Sequence, residues 1–195
     1  MESEITRLIR TGKKVFGRHK KEIEDIIVFG SMMKGEEMPT DIDVLLVFRE
    51  KVDKAIENEF REEAGIQNID ANSVSSKELE GDGFIAKEGL YLEGKSLVTG
   101  KRLSDSLGFF SACLITYDLT QIKGSLRTRF YYALQGRGTD IGFLGSVGAK
   151  RFSDNVIICD YSIVDKVTPF FEHWKVPHKS IPVLIPSRLK KVVMG

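Results

Sequence analysis

Residues 3–24 place Ile5, Leu8, Ile9, Val15, Phe16 and Ile23 at mostly helical spacing, with lysine, arginine and glutamate between them. The spacing predicts an amphipathic helix that covers one face of a sheet, in spite of Gly12 and Gly17. IIVFG then reads as a short buried strand ending at Gly30, with Ser31 placed to cap a turn through MMKG, and DIDVLLVF (41–48) is the next strand. Residues 51–64 form a charged helix with Val52, Ala55, Ile56 and Phe60 as its inner stripe, a Glu57–Arg61 pair one turn apart, and Gly65 as its stop. IQNIDANSV supplies a third strand, SSKELEGDG a turn or short capped helix, and GLYLEGKSLVTG, punctuated by Gly89, Gly94 and Gly100, a hairpin-like or edge element.

A boundary is expected near residue 100. Beyond it FFSACLITYDL is a strand or a buried helix, because a short apolar run fits both. SLRTRFYYALQG is a helix with Leu126, Phe130 and Ala133 or Leu134 on one face, ended by Gly136. VIICDY is a strand, SIVDKVTPFFEHW a helix with Pro169 as its point of kinking, and PVLIP (182–186) a short edge strand, since proline cannot donate to a ladder. The pattern gives an α/β (α+β) chain with one part over residues 1–100 and a second small α/β domain over 101–195.

Composition narrows the classes. With 195 residues, 42% hydrophobic and 29% charged, the chain is that of a globular protein able to bury a sizeable core. Lys+Arg 29 against Asp+Glu 28 leaves a net charge of +1, so nucleic-acid binding would need a local patch. No apolar run approaches the roughly 18 residues of a membrane span, and the start MESEITRLIR lacks a secretory core, so a cytoplasmic location without membrane partners is expected. Cys113 and Cys159 sit in apolar runs as buried thiols, and His173 and His178, five apart across Pro177, match no common zinc spacing.

The chemistry concentrates in GSMMKGEEMPTDIDVLLVF. Side chains alternate along a strand, so Asp41 and Asp43 project to one side while Ile42, Val44 and Leu46 serve the packing. Two carboxylates there repel unless a hard divalent cation, magnesium or manganese, sits between them; the alternative is a pair of exposed aspartates serving a turn. Upstream, Gly30 permits a tight turn and close ligand approach, and the amides of Ser31 and Met32 with the Ser31 hydroxyl can hold phosphate oxygens. Nine residues separate Ser31 from Asp41, enough for turn and carboxylates to come from adjacent strands. Lys34 either lends charge to the phosphates or is an ordinary exposed loop lysine.

Gly30-Ser31, nine residues, then Asp41-Ile42-Asp43 between apolar neighbours resembles the signature of the DNA polymerase beta nucleotidyltransferase superfamily, most closely the minimal nucleotidyltransferases, over residues 1–100. The resemblance implies a palm-like mixed sheet with flanking helices. It also implies transfer of a nucleoside monophosphate from a nucleoside triphosphate, ATP among them, to an acceptor hydroxyl by a two-metal mechanism that releases pyrophosphate. By position it implies Gly30 and Ser31 as the triphosphate grip and Asp41 and Asp43 as metal ligands. Asp70, between Ile69 and Ala71, matches the third carboxylate, a metal ligand or acceptor of the hydroxyl proton. Glu36 and Glu37 depart from what a polyanion site asks for.

The acceptor is open to RNA, a small molecule or a protein. Arg127, Arg129, Arg137, Lys150 and Arg151, interleaved with Phe130, Tyr131, Tyr132 and Phe152, form either a basic and aromatic nucleic-acid surface or, for the aromatic residues, helix packing. A rival class keeps the fold without transfer: a binding module for a partner protein, as in an antitoxin, or for nucleic acid.

Overall fold

The computed structural model describes residues 4–30, 41–81 and 87–195, which form two compact units, Met1–Leu107 and Gly108–Gly195. In the first, α1 (Glu4–Arg18) leads into β1 (Ile23–Phe29) and β2 (Ile42–Phe48); α2 (Lys54–Ala64) and β3 (Ile69–Ser75) follow, then α3 (Ser76–Glu80), α4 (Lys87–Glu93), β4 (Lys95–Ser96) and α5 (Leu103–Ser106). The strands lie in the order β3-β2-β1-β4, with β1 antiparallel to β2 and β4, and β2 parallel to β3. A parallel pair needs a crossover, and α2 provides it.

β2 is central and covered on both faces, so its residues from Val44 to Phe48 are all buried. Ile42, Val44, Leu46 and Phe48 pack with Leu8 and Val15 of α1 and Ile56 and Phe60 of α2, while Leu45 and Val47 pack with Ile27, Val74 and Leu90 of α4 on the other face. Gly12 is a packing residue: a Cβ there would come within 2.7 Å of Leu97 Cβ.

Three expected bounds are corrected. The first helix ends at Arg18 rather than residue 24, and Ile23, fully buried, belongs to β1. The second starts at Lys54, after Val52, because Asp53 caps it through a hydrogen bond accepted from the Ala55 amide at 2.8 Å. GLYLE is helix α4 rather than hairpin, with only β4 pairing at the sheet edge.

The second unit contains β5 (Phe109–Tyr117), α6 (Gly124–Gln135), α7 (Gly142–Val147), β6 (Lys150–Ser153), β7 (Val156–Asp160), α8 (Val164–His173), β8 (His178–Pro186) and α9 (Lys190–Met194). Its antiparallel sheet has the order β6-β7-β5-β8. Cys113, Ile115, Ile157 and Cys159 pack with Phe130, Leu134, Val167 and Phe171 of α6 and α8; Phe110, Ala112 and Ile158 pack with Val193 and Met194 of α9. FFSACLITY is thus a strand with two covered faces, which is why its apolar run is continuous. β8 is longer than PVLIP: it pairs with β5 from His178 to Pro186, and its polar start escaped notice because an edge strand needs little apolar alternation. Pro169 lies inside α8, where it removes one helix hydrogen bond. Among the described residues no helix is long and apolar enough to cross a membrane.

Candidate active site

Three strand ends meet at one end of the first sheet. Phe29, the last residue of β1, is in register with Asp43, and Asp43 is in register with Asp70 on parallel β3. Asp43 shares its face of β2 with Leu45 and Val47, and Asp70 shares its face of β3 with Asn72 and Val74. Leu45, Val47 and Val74 belong to one packed cluster, so the two aspartates project from the same face of the sheet. Neighbouring strands run about 4.8 Å apart, close enough for two such carboxylates to serve one ligand. Asp43 is the one half-buried position in β2 and Asp70 is exposed.

Gly30 closes β1 with φ +82°, and a Cβ built on it would lie 2.2 Å from Asp43 Oδ2. The Asp43 carboxylate therefore rests directly against the Gly30 backbone, and only glycine combines that approach with a left-handed φ. Asp41 is exposed just before β2 and, two residues from Asp43, falls on the same side by alternation. Asn72 Nδ2 donates to Asp70 Oδ1 at 3.0 Å and so orients that carboxylate. Sequence reasoning missed Asn72, although Asp70-x-Asn72 repeats the spacing of Asp41-x-Asp43. Ser31, Lys34, Glu36 and Glu37 lie outside the described residues.

The structure brings Gly30, Asp43 and Asp70 to one place. It does not gather Asp41, Asp43 and Asp70 into one metal cage: among the described residues no group of three or more His, Cys, Asp or Glu side chains is placed to hold a metal ion.

Behind this edge, β3 is held by a buried carboxylate. Glu57 of α2 accepts from Lys54 Nζ at 2.6 Å, from Arg61 at 3.2 Å and from the Ser73 hydroxyl, and Arg61 also donates to the Ala71 carbonyl. Burial pushes the Glu57 carboxyl up, but the hydrogen bonds from Lys54 and Ser73 and the charges of Lys54 and Arg61 outweigh it and hold its pKa below the usual carboxylate value. The expected Glu57–Arg61 pair is thus present, but its carboxylate faces β3 rather than solvent.

In the second unit the aromatic run divides. Phe130 is fully buried, Tyr131 packs partly against the core, and Tyr132 is 45% exposed. Leu126, expected on the inner face, is also 45% exposed, because α6 turns Phe130 and Leu134 inward instead. Arg127 and Arg129 are exposed, Arg127 lying 6.0 Å from the Tyr131 ring centroid.

Residues 9–91 match the nucleotidyltransferase domain family. That match falls within the first unit. No curated protein matches the chain. Among solved structures, a candidate nucleotidyltransferase from Sulfolobus solfataricus is 20% identical over 38% of this chain and 73% of its own, with a TM-score of 0.28. A toxin–antitoxin complex with AMP-PNP is 21% identical over 51% of this chain and 78% of its own, with a TM-score of 0.36. A mutant of the toxin–antitoxin pair MntA–HpeT is 19% identical over 48% and 74%, with a TM-score of 0.34.

Proposed function

We propose that the protein is a cytoplasmic, metal-dependent nucleotidyltransferase. The oxygen of an acceptor hydroxyl attacks the α-phosphorus of a nucleoside triphosphate, the bond to the bridging oxygen of the β-phosphate breaks, and pyrophosphate leaves. The observation that carries this reading is the Asp43–Asp70 pair, in register on adjacent strands with the Gly30 turn packed against Asp43. The site fits magnesium or manganese: its donors are hard carboxylate oxygens, and magnesium is commonly held by one or two carboxylates, waters and substrate phosphates. Asp41 and Asp43 would be the ligands, with phosphate oxygens and water completing the coordination, and the bound ions would neutralise the polyphosphate and acidify the acceptor hydroxyl.

The remaining roles fall to the chain itself. The backbone at Gly30 and Ser31 receives triphosphate oxygens, with Lys34 adding a positive charge. Asp70, oriented by Asn72, takes the hydroxyl proton on its carboxylate. The second unit, residues 108–195, presents the acceptor or a partner protein. Incubation with each α-labelled nucleoside triphosphate, with and without magnesium, tests the reading. Magnesium-dependent pyrophosphate release and a labelled product are expected. Absence of triphosphate binding under every condition would overturn the reading in favour of a non-catalytic binding module.

A further inference from the structure

The near-neutral chain is the sum of two oppositely charged units. Residues 1–107 carry 17 Lys and Arg against 22 Asp and Glu, net −5, and residues 108–195 carry 12 against 6, net +6, which together give the +1 of the whole. In the first unit several cations are engaged locally: Arg18 with Glu59 and Glu63, Lys14 with Glu63, and Lys54 and Arg61 with Glu57. In the second unit Arg151 pairs with Asp154, but the surroundings of α6 differ. Residues 119–139, with α6 at their centre, hold Lys123, Arg127, Arg129 and Arg137 and no acid. Among the described residues none of these three arginines forms an ion pair.

Arg127 and Arg137 instead lie over tyrosine rings, 6.0 Å from the centroid of Tyr131 and 5.0 Å from that of Tyr132. A guanidinium held near a ring by cation–π attraction keeps its N–H groups for an anion.

Guanidinium groups free of carboxylates, one of them beside the exposed Tyr132 ring, match a chain that alternates phosphates with flat bases. We propose that α6 and the loop to Arg137 hold the acceptor as single-stranded nucleic acid, with Lys123, Arg127, Arg129 and Arg137 on phosphates and Tyr132 against a base. The inference rests on the nucleotidyltransferase reading, whose acceptor it names.

The test is fluorescence anisotropy of the full chain against oligo-uridine RNA and oligo-thymidine DNA of about 20 nucleotides over a salt series. The Arg127→Ala, Arg129→Ala double variant is expected to bind at least about tenfold more weakly at low salt. The slope of log K against log salt should shrink by about 1.4, since each phosphate contact on a single strand contributes about 0.7. Tyr132→Ala should weaken binding about tenfold with the slope unchanged. Tighter binding of RNA assigns the acceptor to RNA, and tighter binding of DNA to DNA; both support the proposal. Coincident salt curves for wild type and double variant overturn it, as does arginine-dependent capture by phosphatidylserine vesicles without strand binding. Strand binding without pyrophosphate release on addition of triphosphate and magnesium overturns the catalytic reading and leaves the surface standing; release with coincident salt curves does the reverse.

Discussion

Asp43 sits between a core strand and a turn that only glycine can make, and its neighbours set what each substitution does. Asp43→Asn keeps the shape and removes a charge, so thermal melting without metal should hold or rise as the repulsion with Asp41 and Asp70 falls, while nucleotidyl transfer is lost; Asp41→Asn should behave alike. Gly30→Val combines a strained φ with a Cβ inside contact distance of Asp43 Oδ2. It should abolish triphosphate binding in an equilibrium titration and lower the melting temperature. Ser31→Ala removes one neutral hydrogen bond and should cost about 1 kcal/mol in the same titration. Equal, unaltered binding by both variants would contradict the phosphate turn. Burial pushes the Cys159 thiol up to about 12, so a disulfide reagent at pH 8 should label it slowly in the native protein and quickly in denaturant. Asp41 and Asp43 were legible because alternation alone puts both on one side. Asn72 was not, because a polar residue on the exposed side of a strand adds nothing to a hydrophobic period.

At the scale of elements, α2 and β3 are joined through Glu57. Its pKa is lowered on folding, so the stability it contributes is present above the unfolded carboxyl pKa of about 4.3 and is lost as pH falls through the lower folded value. Glu57→Gln should cost about 2 kcal/mol in denaturant unfolding at pH 7, and less at pH 3. Asp25 has the opposite sign. Burial raises its pKa against the hydrogen bonds from Ser96 and the Ile26 amide, so its stabilisation is full at low pH and is lost as pH rises through the folded value. Asp25→Asn keeps an oxygen for both donors and should gain stability above pH 5; a loss there would contradict the assignment. β1, β2, α2 and α6 were legible within a few residues, whereas α1 was carried past Arg18 because Ile23, buried in β1, continues its apolar series. α4 was not, because Gly89 and Gly94 signal turns while the helix depends on burying Leu90 against the sheet. β6 is exposed along its whole length, so KRFS carries no apolar alternation to read.

For the whole molecule, the sequence offered a balanced charge and the fold separates it into an acidic unit that carries the aspartates and a basic unit that carries α6. No composition summary reveals this, because the division depends on where the chain changes unit. The mixed sheet could be anticipated from the resemblance carried by Gly30, Ser31, Asp41 and Asp43. The pairing of Asp43 with Asp70 needed the parallel register that the α2 crossover sets. The measurement that tests the account most directly is the rate of label transfer from α-labelled triphosphate, with magnesium and single-stranded nucleic acid present, by the wild-type chain and Asp43→Asn side by side. An active site at Asp43 gives transfer by the wild type that vanishes in the variant while its melting temperature holds. Equal rates in the two proteins would contradict it.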